Sequence, residues 1–227
     1  HKWVSAVIGD RDGAMWFGTG SGISRLSVSE TGQQHWTTYA FDNSLSVLSL
    51  CEAGDGAIWA ALGGRLGIRR FADGKWSVVA PKTGSSQLRV GKIIQASDGK
   101  LWFGTNEGVL CYDGSSWTLT SAGSGSQLIE ASDGSIWAHR KDEVSRFDGH
   151  SWTSYSTSEV GFSVPFISGC WPTDDGTVWV SGLNEISRFR DGKWFSYPRF
   201  ERERVLGAIN GKQVSQGVIW LWSEKYG

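Results

Sequence analysis

Short apolar runs alternate along this chain with small polar clusters rich in Gly, Asp and Ser, and no stretch carries a helical period. Runs such as Val4–Ile8, Val47–Cys51 and Val90–Gln95 lead into an Asp-Gly pair. A second run follows at once, as in Met15–Phe17, Ile58–Ala60, Leu101–Phe103, Ile136–Ala138 and Val178–Val180. Asp-Gly between apolar runs predicts a tight hairpin, and the expected form is type I′, in which both central residues take positive φ. After a further Gly-centred turn comes a third run: Ile23–Leu26, Ile68–Phe71, Val109–Tyr112, Val144–Phe147 and Ile186–Phe189. A third turn then holds Asp73-Gly74, Asp113-Gly114, Asp148-Gly149 or Asp191-Gly192, and a fourth strand opens on Trp36, Trp76, Trp117, Trp152 or Trp194.

The spacing is regular. Gly followed three residues later by Trp recurs at Gly13/Trp16, Gly56/Trp59, Gly99/Trp102, Gly134/Trp137, Gly176/Trp179 and Gly217/Trp220, with Trp-to-Trp steps of 43, 43, 35, 42 and 41 residues. Four antiparallel strands at that period describe a propeller blade, whereas solenoid repeats carry one or two elements per turn. The predicted fold is therefore all-β, a β-propeller of four-stranded antiparallel blades. Six blades are expected, the last incomplete because the sixth copy stops at Gly227 before its third strand. A piece of a seven- or eight-bladed ring is the alternative. The chain reads as one domain, 1–227, with blades at about 4–44, 45–86, 87–126, 127–166 and 167–204 and a partial one at 205–227.

Stacked blades bury their middle strands on both faces, so these strands should be apolar throughout. The first Trp of each copy is large enough to fill the space between sheets. Its neighbour two positions on is small in most copies: Gly18, Ala61, Gly104 and Ser181. A bulky ring beside a small residue lets adjoining layers interlock without voids. The invariant placement of these tryptophans favours packing over a sugar-binding role. A repeated Arg (Arg25, Arg70, Arg146, Arg188) is expected to pair with turn carboxylates.

Composition narrows the function classes. The chain has 31 Gly, 14 Trp, 4 Pro and one Met in 227 residues, in keeping with many short strands and tight turns. A net charge of -1 with scattered Lys and Arg excludes a nucleic-acid footprint. No apolar run is long enough to span a bilayer, so no membrane segment is expected in this chain. It opens abruptly at His1-Lys2-Trp3, without a signal-peptide pattern, as an excised piece would. Cys51, Cys111 and Cys170 are odd in number and far apart, and read as small buried hydrophobes. No run of alternating carboxylates or His/Cys cluster suits a metal, and no cofactor is expected.

The unit reads D-G-x-[LIVM]-W-[FVA]-G-T-x-x-G-[LIV]-x-R-[FL] followed by W-x-x-Y, best seen in Asp12–Thr19 and Asp98–Thr105. It resembles the two-component regulator propeller repeat and is similar to the repeat of the streptogramin lyases. The first resemblance implies an extracytoplasmic, periplasmic or extracellular sensor of a bacterial hybrid histidine kinase. The second implies a magnesium-assisted acid/base reaction using His and Glu near the channel. The motif residues are structural, so the resemblance speaks to fold more than to function.

Positions that break the repeat are the better functional candidates. Propeller ligands usually sit over the channel, where the second-to-third-strand turns and the links between blades meet. Arg65, Asn106, Glu107, His139, Arg140, Lys141, Asn184 and Glu185 are the candidates there, with Trp171 on an inner strand and Phe162 and Phe166 in the link before it. Of the four His only His139 could reach a central site, and pairing it with Glu107 or Glu185 is the one arrangement that could serve a lyase. No catalytic residue is assigned. The expected function is non-enzymatic binding of a small molecule or glycan, or of a protein partner, by a sensor module. A protein-interaction scaffold, a lyase-like enzyme and a lectin are the alternatives. The incomplete last blade makes self-association a further expectation.

Overall fold

The first turn of each copy sets the geometry that everything else follows. In the computed structural model, Gly13 N–H donates to Asp10 O (3.0 Å) and Asp10 N–H to Ala14 O (2.8 Å). The same pair recurs at Ala53/Gly56/Ala57, Ala96/Gly99/Lys100, Ala131/Gly134/Ser135 and Thr173/Gly176/Thr177. The glycines sit at φ 78–85°, while the Asp before each is not at positive φ. This is a type I turn closed by a left-handed Gly, and not the type I′ turn expected from Asp-Gly alone. The three-residue loop is the reason: one residue more than a type I′ turn accommodates. Type I′ geometry does occur at the third turns Asp73-Gly74 and Asp191-Gly192, where both residues have positive φ. At Asp113 and Asp148 the third turn is one residue longer before the Trp. There the Asp carboxylate accepts the N–H groups of Ser115 and Ser116, or of His150 and Ser151.

The structure describes residues 3–41, 46–64, 67–120, 127–183, 185–197, and, as backbone, 209–215 and 218–223. These divide into two compact units, His1–Thr120 and Ser121–Gly227. The first holds three antiparallel sheets in simple meander order. They are β1 (Val4–Gly9), β2 (Met15–Thr19), β3 (Gly22–Val28), β4 (Gln34–Ala40); β5 (Val47–Glu52), β6 (Ile58–Leu62), β7 (Ile68–Ala72), β8 (Lys75–Val79); and β9 (Val90–Gln95), β10 (Leu101–Thr105), β11 (Val109–Tyr112), β12 (Trp117–Thr120). The second unit holds two more such sheets. They are β13 (Gln127–Glu130), β14 (Ile136–His139), β15 (Glu143–Phe147), β16 (Trp152–Ser156); and β17 (Ile167–Pro172), β18 (Val178–Gly182), β19 (Ile186–Arg190), β20 (Lys193–Tyr197). Between these two sheets lies one helical turn, α1 (Thr157–Val160), and the hairpin β21 (Ile209–Ser215) and β22 (Val218–Ser223) completes the unit. Among the described residues, five four-stranded sheets and one two-stranded sheet thus match five full copies and a partial sixth. The chain is a β-propeller in fold.

Within each unit successive sheets stack through their inner strands: β5 on β1 and β2, β9 on β5 and β6, β17 on β13 and β14. β6, between the first and third sheets, is buried at every position, as a strand covered on both faces must be. The first Trp of one sheet reaches the second Trp of the next. Trp16–Trp76, Trp59–Trp117 and Trp137–Trp194 have ring centroids 6.0, 6.2 and 6.0 Å apart, at steep angles. Edge-to-face contact of this kind adds about 0.5–1.5 kcal/mol to the burial of each ring. The small residues fit the same plan. A Cβ on Gly18 would stand 2.6 Å from Val47 Cγ1 of the next sheet, so only glycine admits that side chain.

Candidate functional site

Thr at the end of the second strand closes the second turn. Thr19 Oγ1 donates to Gly22 O (2.9 Å) and Thr105 Oγ1 to Gly108 O (2.6 Å), which places the residues between them at one end of the sheet. Asn106 and Glu107 occupy that position in the third sheet. Asn106 Oδ1 accepts the Arg89 N–H (2.6 Å), its Nδ2 donates to Gln87 O (3.3 Å), and Glu107 Oε1 accepts Ser85 Oγ–H (2.6 Å). Both side chains therefore hold the link that enters β9.

Glu185 does the same in the fifth sheet. Its carboxylate accepts the Ser163 N–H at 3.0 and 3.1 Å and also the Ser163 hydroxyl. It is only 8% exposed, so this charge is satisfied by the link before β17. Ser85–Glu107 and Ser163–Glu185 share a separation of 22 residues. That Ser-to-Glu spacing is a signal in the sequence that the repeat alignment, anchored on Gly and Trp, passed over.

Lys141 meets the same link from the fourth sheet. Its carbonyl accepts Ile167 N–H (2.7 Å) and its Nζ lies 5.7 Å from the centre of the Phe166 ring. Lys141 and Glu185 are thus brought to one segment, 163–167. Arg140 turns to its own hairpin, 3.0 Å from Asp142 and 3.7 Å from Glu143. His139 ends β14, and burial pushes its imidazole down to about 4, only partly offset by the Arg140 backbone. Its Nδ1 is buried without a hydrogen-bond partner of normal geometry. Trp171 stands apart from this group. It pairs in register with Trp179 near the first-turn end of β17, four residues or about 13 Å along the strand from Ile167, and is 7% exposed. Phe162 is core, packed with Val160, Ile167 and Val180, instead of adding to an exposed apolar patch. Arg65 and Asn184 lie outside the described residues.

The opposite end of the sheets, at the first and third turns, carries open grooves. One of about 480 Å³ lies between the second and third sheets, lined by Asp55, Trp59, Arg70, Gln95, Tyr112 and Gly114 among others. One of about 310 Å³ lies between the fourth and fifth, lined by Asp133, Trp137, Arg146, Asp175 and Arg190. A repeated pair stands in one wall of each groove, Trp59 with Arg70 in the first and Trp137 with Arg146 in the second. The first Trp and the Arg are direct cross-strand partners in Trp16/Arg25, Trp59/Arg70, Trp137/Arg146 and Trp179/Arg188, with the guanidinium 5.3–6.0 Å from the ring centre. Arg25, Arg70 and Arg146 also pair with the turn carboxylates Asp10, Asp55 and Asp133. In the fifth sheet Arg190 takes Asp175, while Arg188 lies over Trp179, Phe195 and Tyr197. The third sheet has Cys111 opposite Trp102, and Lys100 holds its turn carboxylate Asp98. Burial opposes ionisation of Asp55 and Asp133, but turn N–H groups and the Arg outweigh it and lower both.

The three cysteines are free, and burial raises each thiol, Cys111 to about 11. Among the described residues no three His, Cys, Asp or Glu side chains stand together as a metal site, and no helix is long and apolar enough to cross a membrane.

Residues 84–107, a stretch that includes Ser85, Asn106 and Glu107, match the two component regulator propeller family. No curated protein matches the sequence. Among solved structures, the chain is similar to the extracellular domain of the putative one component system BT4673 from B. thetaiotaomicron, with 17% identity and a TM-score of 0.71 over 97% of this chain and 33% of that one. It is similar also to the extracellular domain of the putative hybrid two component system BT3049 from B. thetaiotaomicron (20%, TM-score 0.71, 96% and 31%). A third is catalytically inactive virginiamycin B lyase from Staphylococcus aureus with quinupristin (19%, TM-score 0.70, 99% and 79%). The chain spans about a third of the length of the two extracellular domains. At these identities the likeness is one of fold.

Proposed function

We propose that this chain is the ligand- or partner-binding propeller of a bacterial signalling receptor, working outside the cytoplasm. The observation that carries the reading is the regulator-propeller match at 84–107, joined to a likeness in fold to extracellular domains of one- and two-component systems. The residues shared by every copy are consumed by turns and stacking. What varies is the chemistry at the sheet ends, and that is where selectivity can be written without disturbing the fold. A thermal-shift screen of the purified chain against sugars and other small metabolites tests the reading. A ligand at one hundred times its Kd adds about 2.7 kcal/mol, a shift of roughly 5–10 °C in a chain of this size. Stabilisation by a protein partner alone would favour a protein-interaction scaffold instead.

A lyase is the second reading, favoured by the fact that the chain covers 79% of the virginiamycin B lyase structure. His139 is neutral at pH 7 and sits at the second-turn end with Lys141, yet its Nδ1 is buried. Incubation with quinupristin should leave its chromatographic profile unchanged. Conversion that disappears in His139→Ala would replace the sensor reading with this one.

A further inference from the structure

The repeat contains its own demonstration of what a Trp–Arg pair holds. In the first sheet Asp10 Oδ2 accepts Trp16 Nε1–H at 2.7 Å, and Arg25 lies 3.8 Å from the same oxygen. Oδ1 accepts the N–H groups of Asp12 (3.1 Å) and Ala14 (2.7 Å). That carboxyl group is only 7% exposed, so an indole N–H, a guanidinium and turn amides together hold a carboxyl group in a largely dry place. In the fourth sheet the Trp137 N–H is satisfied differently, by Ser135 Oγ at 2.9 Å.

The second sheet keeps the pair and lacks both acceptors. Trp59 and Arg70 are cross-strand partners as before, but Ala53 stands where the first sheet has Asp10, and Ala57 where the fourth has Ser135. Trp59 Nε1 is accordingly buried without a hydrogen-bond partner. The indoles of Trp76, Trp171 and Trp194 share this state, and Trp59 is set apart by lining a groove together with its Arg. Beside it is the 480 Å³ groove, lined by both members of the pair. Arg70 is 34% exposed and uses one terminal nitrogen on Asp55 Oδ2 (2.7 Å), which leaves the rest of its donor fork available.

We propose that this groove between the second and third sheets receives a small carboxylic acid, whose carboxylate takes between Trp59 Nε1 and Arg70 the place that Asp10 fills in the first sheet. This gives the ligand-binding reading a site and a chemical class. The two carboxylates that line the groove, Asp55 and Asp113, do not forbid it: Asp55 is engaged by Arg70 and the Ala57 N–H, and Asp113 accepts the N–H and hydroxyl groups of Ser115 and Ser116. Gln95 is the flexible wall. Its Nε2 donates to Gly99 O (3.0 Å) and reaches within 3.1 Å of where a Cβ on Gly54 would be, so a change of rotamer opens the groove toward the 53–56 turn. The groove of the fourth and fifth sheets is the internal control, because Ser135 already serves its indole.

The test is a titration of indole ¹⁵N-labelled chain with succinate at constant ionic strength, with the neutral succinamide in parallel and Trp59 assigned from Trp59→Phe. Succinate should move the Trp59 indole resonance saturably and leave Trp16 and Trp137 in place. Ala57→Ser, which supplies the hydroxyl of the fourth sheet, should weaken binding about tenfold, and Ala53→Asp should abolish it. If Ala53→Asp does not fold, Ala57→Ser carries the comparison alone. A Trp59 resonance that stays fixed, or moves equally with succinamide, overturns the proposal. A compound that stabilises the chain while Trp59 stays fixed would end this inference and leave the binding reading standing; the absence of any stabilising compound or partner would end both.

Discussion

Single residues decide whether neighbouring sheets can close on each other. Gly18 is bare because Val47 occupies the space its Cβ would need. Gly18→Ala should lower stability by about 1–3 kcal/mol, the usual cost of overpacking, and Gly18→Ala with Val47→Ala should recover part of it in urea unfolding. That a small residue belongs at position 18 was legible from the alternation of Trp with Gly, Ala and Ser two residues later; that Val47 is what fills the space was not, since the contact crosses sheets. His139 makes a different kind of prediction. Its imidazole titrates near 6.5 when unfolded and about 4 when folded. Between those values the unfolded chain binds more protons, so stability is full above pH 6.5 and falls as the pH drops toward 4, by up to about 3 kcal/mol. His139→Leu should flatten that limb when urea midpoints are compared at about pH 7 and pH 5. Asp55, Asp98, Asp133 and Asp175 are all held below 3.8, so their contribution disappears only at still lower pH and does not blur the comparison.

At the scale of elements, turns and links carry the departures from the repeat. Asp-Gly marked the first turn of five copies correctly as a hairpin, yet the loop length, not the dipeptide, selected a type I turn with a left-handed Gly over type I′. Sequence-selected residues Asn106, Glu107 and Glu185 all proved to be at the second-turn end, and each is engaged in holding a link between sheets. Glu185→Ala should cost about 2 kcal/mol, because it strands the Ser163 N–H and hydroxyl beside a buried site. Glu107→Ala should cost less, since a half-buried carboxylate there serves the Ser85 hydroxyl. Limited proteolysis checks the assignment: cleavage near 161–166 should rise in the first variant and near 83–89 in the second. His139, Arg140 and Lys141 were expected at one end of the sheet and lie there, and Lys141 reaches the 163–167 link that Glu185 also holds.

Across the whole molecule, stability is built from neighbour-to-neighbour stacking of sheets within each unit. Trp137 meets Phe189, Trp194 and Tyr155 at 5.0–6.4 Å and is 1% exposed. Trp137→Leu should cost about 3 kcal/mol, and amide exchange should quicken first in β13–β20, the two sheets that the ring joins. The sequence by itself determined the strand count per copy, the position of each turn and which residue types face a neighbouring sheet. These are local or periodic properties, set by backbone sterics and by the alternation of large and small side chains, and they repeat often enough to be read. The tertiary structure alone decided which Trp indole finds an acceptor, which carboxylate latches a link, and where a groove opens. Those outcomes depend on atoms far apart in the chain arriving within hydrogen-bond distance, and two alanines in one turn change them without altering the pattern of the repeat.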